Sequence, residues 1–68
     1  MEWADLTERQ QQLARYLVRG LSHREIAREL GPSERNIELL ARWMYHQIGV
    51  ENRASLAVWM EAHKPPHV

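Results

Sequence analysis

The sequence predicts an all-α domain of four helices. Four times in the 68 residues, a Ser, Thr or Asn precedes a run with apolar side chains at three- and four-residue intervals. This is the pattern of an N-cap followed by an amphipathic helix. The first three runs are followed by Gly20, Gly31 and Gly49, and glycine is common where a helix ends. These signals predict helices at about 7–19, 22–30, 33–48 and 52–62.

The first two predicted helices begin with complete capping boxes. Thr7 is followed three residues later by Gln10, and Ser22 by Glu25, so each pair satisfies two free amide donors at a helix start. Segment 21–50 then contains a short helix, a tight turn with Gly and Pro, and a longer helix. This order is the signature of a helix-turn-helix, in which the second helix usually enters the major groove of DNA.

Each predicted helix has one apolar stripe, so the four should pack as a small bundle around one core. On the third helix, four apolar residues fall within about 60° of Ile37 at about 100° per residue, so five residues form its core face. Trp3 is expected to cover an edge of the core. We expect residues 1–64 to form one domain and 65–68 a short Pro-containing tail. The predicted core contains Leu13, Tyr16, Leu17, Leu21, Ile26, Ala27, Leu30, Ile37, Leu40, Ala41, Met44, Ile48, Val50, Leu56, Trp59 and Met60.

The composition favours a folded, cytoplasmic, non-enzymatic protein. The chain is 44% hydrophobic and 26% charged, which is typical of a globular domain. It has no cysteine, which excludes disulfides and thiolate metal sites and suits a reducing compartment. No apolar run approaches the roughly 18 residues that span a membrane. Its four histidines are scattered, so we expect no cofactor, no metal and no enzyme activity.

Short blocks at fixed spacing resemble a known family. They are Leu6-Thr7, Gly20-Leu21-Ser22, Glu25-Ile26-Ala27, Leu30-Gly31, Ser33-Glu34-Arg35, Gly49-Val50 and Asn52-Arg53-Ala54. Together, over about residues 6–62, they resemble the LuxR/GerE-type DNA-binding domain of bacterial response regulators and quorum-sensing receptors, and in particular its small single-domain members. The resemblance implies a four-helix transcription regulator whose third helix reads the major groove and whose fourth forms dimer contacts.

The third helix differs from the usual pattern of that family. Glu38 and Leu40 stand where members commonly carry Lys and His, and Gln47 replaces a Lys. The chain as a whole has nine basic and nine acidic residues, whereas free-standing DNA-binding proteins usually have a basic excess. Even so, a Glu can accept a hydrogen bond from cytosine N4, and a Leu can contact a thymine methyl. The residues expected to contact double-stranded DNA are Arg24, Arg35, Asn36, Glu38, Leu39, Arg42, His46 and Arg53, with Arg15 or Arg19 as further phosphate contacts.

The fourth helix has a second apolar face besides its core stripe. Ala54, Val58 and Ala62 are spaced by four residues, and small side chains allow two helices to approach closely. With Glu61, they form the expected homodimer interface.

The sequence leaves a second function open, a protein-interaction module that kept the helix-turn-helix fold. Leu39 and Trp43 lie about 40° apart on the outer face of the third helix. Tryptophan is a frequent anchor of protein interfaces, and an exposed Trp beside an exposed Leu is an unusual apolar surface. The partner in that case would be RNA polymerase, a transcription factor or another protein, bound in place of DNA.

Overall fold

The computed structural model describes residues 1–63, and all regular structure in that range is helical. A 3-10 turn at Trp3–Asp5 is followed by α1 (Glu8–Val18), α2 (His23–Leu30), α3 (Glu34–Ile48) and α4 (Arg53–Ala62). Every helix agrees with its predicted bounds to within one residue at each end. The all-α, four-helix fold with a helix-turn-helix is therefore confirmed, while the predicted tail 65–68 lies outside the described residues.

The predicted capping boxes begin α1 and α2. The Thr7 hydroxyl accepts from the Gln10 amide at 3.1 Å, and the Gln10 side-chain oxygen accepts from the Thr7 amide at 3.0 Å. The reciprocal distances between Ser22 and Glu25 are 3.1 and 2.9 Å. Hydrogen bonds from the backbone and then the side chain of Ser22 lower the pKa of the Glu25 carboxyl, because they favour its charged form.

The turn of the helix-turn-helix depends on a left-handed glycine. Gly31 has a φ of +104°, a backbone region that strains residues with a Cβ atom. Its amide donates to the Ala27 carbonyl at 2.8 Å, which ends α2. Pro32 and Ser33 complete the connection, and the Ser33 hydroxyl accepts from the Asn36 amide at 3.2 Å to begin α3.

The core is one cluster to which all four helices contribute. α2 packs mainly on α3, and α4 packs mainly on α1. Predicted core residues that are only partly buried, among them Tyr16, Ile48, Val50 and Trp59, pack around this cluster. The buried residues are Trp3, Leu6, Leu13, Ala14, Leu17, Ile26, Ile37, Ala41, Met44 and Leu56.

Leu40 is the one predicted core residue that lies on the surface, so its assignment was wrong. Its side chain is 39% exposed, whereas Ile37 and Met44 on the same helix are 0% exposed. Leu40 lies at the rim of the apolar stripe, about 60° from Ile37. There it lines an open surface with Leu39 and does not join the buried cluster.

The different burial of two leucines gives a stability test. We expect Leu17→Ala to lower the free energy of unfolding by about 2–5 kcal/mol, because it leaves a cavity in the core. Leu40→Ala should cost less than half as much, since its side chain already contacts solvent. Urea denaturation followed by circular dichroism measures both. If both variants lost the same free energy of unfolding, Leu40 would belong to the core after all.

Candidate nucleic-acid interface

The outer face of α3 is held towards solvent by the packing of its inner face. Ile37 and Met44 are 0% exposed, and Ala41 between them is 1% exposed. These three side chains fix the rotation of α3 about its own axis. Residues on the other side, including Leu39 at 44% and Trp43 at 69% exposure, are left free to contact a partner.

An open concavity of about 570 Å³ occupies this outer face. Four of the residues predicted to contact DNA meet there, namely Asn36, Leu39, Arg42 and His46. Trp43, predicted as an anchor for a protein partner, lies among them. Sequence reasoning missed two lining residues, Leu40 and Pro32, because the rim position of Leu40 is compatible with either burial or exposure. The complete lining is Pro32, Asn36, Leu39, Leu40, Arg42, Trp43 and His46.

Glu38 lies on the flank of α3 and not in this concavity. It is half-buried and lines a second depression between α3 and the start of α4, together with Arg53 and Tyr45. Arg42 lines both depressions and so joins them. Burial raises the pKa of the Tyr45 phenol, and the nearby charge of Arg53 opposes that shift.

The charges of α3 are unevenly placed, although they sum to zero. At about 100° per residue, Arg35 and Arg42 lie about 40° and 60° from Leu39, within the outer face. Glu34 and Glu38 lie about 140° and 100° from Leu39, towards the flank. The outer face therefore has a basic edge and carries neither of the two α3 carboxylates, a property that the net charge of the helix conceals.

Arg53 has its partners inside the fold. Its guanidinium donates to the carbonyl of Leu17, at 3.4 Å, and to the carbonyl of Leu21. It therefore links the first residue of α4 to the last turn of α1 and to the connection that follows. These hydrogen bonds give Arg53 a structural role, and its predicted phosphate contact stays a prediction.

The other arginines named as phosphate contacts differ in their surroundings. Arg24 and Arg35 are exposed at the starts of α2 and α3, and Arg19 is exposed after α1. The Arg15 guanidinium lies over the Trp3 ring, 5.2 Å from its centroid, which is a cation–π contact. Arg19, Arg24 and Arg35 are therefore all accessible to an anionic ligand.

α4 has the two faces that its sequence predicts. Leu56 is buried, and Trp59 and Met60 are half-buried against the core. On the other side, Val58 is 71% exposed, and the other three residues predicted at a dimer interface, Ala54, Glu61 and Ala62, are exposed with it. A small apolar surface thus lies open along α4.

Residues 1–63 contain neither a metal-binding cluster nor a membrane-spanning helix. No group of three or more His, Asp or Glu side chains in that range is arranged to hold a metal ion. No helix in the same range is long and apolar enough to cross a membrane.

The family of the chain follows from a comparison with protein families. The model of the luxR family of bacterial regulatory proteins, GerE, matches residues 4–60, which include all of α1, α2 and α3 and most of α4. The chain belongs to the LuxR family. It is therefore a helix-turn-helix DNA-binding domain of the regulatory class. The LuxR-family chain has no match among curated proteins or solved structures.

The role of Arg53 in this LuxR-family domain gives a second stability test. Arg53→Met should lower the free energy of unfolding by about 1.5–3 kcal/mol, because it removes hydrogen bonds from a charged donor to two carbonyls. Arg24→Met is the matched control, since Arg24 is exposed, and should change stability by less than about 0.5 kcal/mol. If Arg53→Met left stability unchanged and weakened DNA binding, the predicted phosphate contact would be the correct one.

Proposed function

We propose that this domain is a transcription regulator that binds double-stranded DNA through α3 as a homodimer formed by α4. The observation that carries the proposal is the outer face of α3. In a LuxR-family helix-turn-helix, it brings Asn36, Leu39 and Arg42 together around one exposed concavity. Amide, apolar and guanidinium groups are the chemistry that reads base edges in the major groove.

Arginines at the edges of α2 and α3 supply the phosphate contacts in this proposal. Arg24 and Arg35 are exposed near the N-termini of α2 and α3, and Arg42 lies on the basic edge of the outer face. The chain has a net charge of zero, so non-specific affinity should be modest and should depend strongly on a few arginines. Such contacts orient the protein on the duplex but do not carry sequence information.

The open face of α4 is the proposed dimer interface. Ala54, Val58 and Ala62 are exposed along one line of the helix, and a two-fold axis beside them would pair the same residues of two copies. A dimer of helix-turn-helix domains reads two half-sites about one helical turn apart. The DNA site should then be an inverted repeat.

The DNA function is tested by two charge variants on α3. Arg42→Ala should weaken binding to duplex DNA and reduce the slope of log affinity against log salt by about 1. Glu38→Gln should strengthen binding, because it removes a carboxylate beside the phosphates. Glu29→Gln, on the exposed part of α2, is the control and should have little effect. Fluorescence anisotropy at two salt concentrations measures all three. If the Arg42→Ala and Glu38→Gln variants bind duplex DNA with the affinity and salt dependence of the parent chain, the proposed DNA function is wrong.

Dimerisation is tested at the centre of the α4 face. Val58→Glu should convert the dimer to a monomer, because it places two carboxylates in an apolar contact. Val18→Glu, at an exposed position of α1 that is 38% accessible, should leave the dimer intact. Sedimentation velocity distinguishes the species. A parent protein that sediments as a monomer at high micromolar concentration would refute the proposed interface.

The apolar character of α3 favours a second candidate function, binding of a protein partner such as RNA polymerase or a transcription factor. Trp43 is 69% exposed, beside Leu39 at 44% and Leu40 at 39%. In that function Trp43→Ala would cost roughly 2 kcal/mol or more of partner affinity, while Arg42→Ala would leave DNA binding unchanged. A pull-down of RNA polymerase with the parent and both variants separates this candidate from the first.

A further inference from the structure

The middle of the outer face of α3 is apolar. Leu39, Leu40 and Trp43 are 44%, 39% and 69% exposed and line one concavity. Arg35 and Arg42 are confined to one side of it, and Glu38 lies in the other depression. A surface proposed to enter the major groove therefore presents hydrocarbon to the bases at its centre.

The major groove offers one apolar group to such a surface. Guanine, cytosine and adenine present hydrogen-bond donors and acceptors there, and thymine alone presents a 5-methyl group beside its acceptor. Packing Leu or Trp against a polar base edge would remove water from its donors and acceptors and leave them without a hydrogen-bond partner, which is unfavourable. Packing the same side chains against a methyl group buries apolar surface on both sides.

We infer that the concavity between Leu39, Leu40 and Trp43 reads thymine methyl groups, and that Asn36 reads an adenine beside them. The inference rests on the proposed DNA function and names the base pairs recognised. Asn36 is exposed at the same concavity, and a carboxamide pairs in a bidentate manner with adenine N6 and N7. The half-site accordingly contains A·T pairs opposite the first turns of α3.

The length of the concavity fits a short run of base pairs. Asn36 and Trp43 are separated by about 10 Å along the helix axis, at about 1.5 Å per residue. This distance corresponds to about three base-pair steps of 3.4 Å. Asn36, Leu39 and Leu40 lie towards the N-terminal end of α3, the end from which a recognition helix contacts base edges.

Removal of the thymine methyl tests the inference directly. A preferred duplex is first selected from a pool of random-sequence DNA with the full chain. Each thymine of the selected half-site is then replaced by deoxyuridine, which keeps every hydrogen-bonding group and lacks only the methyl. Affinity should fall about fourfold for each methyl that packs in the concavity, from about 0.8 kcal/mol per buried methylene-sized group. Uracil outside the half-site should have no effect.

A double-mutant cycle assigns the contact to the protein side chain. Leu39→Ala should bind the thymine duplex more weakly and should no longer distinguish it from the deoxyuridine duplex, because the two changes remove the same contact. Leu40→Ala provides a second variant at the same concavity. Val18→Ala on α1 is the control, and it should lose as much affinity as the parent chain when thymine is replaced by deoxyuridine. Circular dichroism checks that each variant is folded.

The outcomes separate this inference from the function on which it rests. A selected duplex whose affinity is unchanged by every deoxyuridine substitution would overturn thymine reading and leave DNA binding in place. Thymine reading would also be overturned if deoxyuridine lowered the affinity of Leu39→Ala and Leu40→Ala as much as that of the parent chain. If no duplex from the pool binds even at low salt, the proposed DNA function fails, and thymine reading fails with it.

Discussion

Burial of the inner face of α3 against the rest of the core determines how every other surface of the domain is presented. Ile37 and Met44 are 0% exposed, and α2 is the helix that packs most extensively on α3. A rotation of α3 that brought Trp43 inward would bring these two side chains out, at a cost of about 1.5–3 kcal/mol for each. The apolar outer face is therefore a fixed feature of the fold.

The remaining helices hold that arrangement in place. Trp3 and Leu17 lie in the same buried cluster as Ile37. Arg53 joins the start of α4 to the carbonyl of Leu17 in α1 and to that of Leu21 after it. The distance and orientation of the open face of α4 relative to α3 are consequently fixed by the core. In a dimer formed by α4, this relation would set the distance between the two recognition helices.

The parts of the fold that depend on local chemistry could be predicted from the sequence. Ser22 with Glu25 specifies where α2 begins, and a left-handed Gly31 specifies where it ends, because caps involve residues three or four apart. The inward stripes follow from helical spacing in the same way. Leu40 could not be assigned by this rule, since a residue at the rim of a stripe is buried only if a neighbouring helix covers it.

The candidate site was only partly predictable for the same physical reason. Asn36, Leu39, Arg42 and His46 share one face of one helix, so spacing alone places them together. Arg53 is hydrogen-bonded to carbonyls more than thirty residues earlier in the chain. Capping patterns and helical spacing concern residues three or four apart, so they cannot predict such a partner. The sequence predicted a phosphate contact for Arg53, and the structure adds two carbonyl partners that the sequence did not reveal.

The three tryptophans provide the most direct measurement of the central claim, that the outer face of α3 is the functional surface. Trp3 is 4% exposed, Trp43 is 69% exposed, and Trp59 is half-buried in α4. Each indole N–H gives one resonance in a nitrogen–proton correlation spectrum of the isotopically labelled chain. On titration with a selected duplex, the Trp43 resonance should move and lose exchange with water, while that of Trp3 should stay in place. Saturable DNA binding that leaves the Trp43 resonance unchanged would contradict the account.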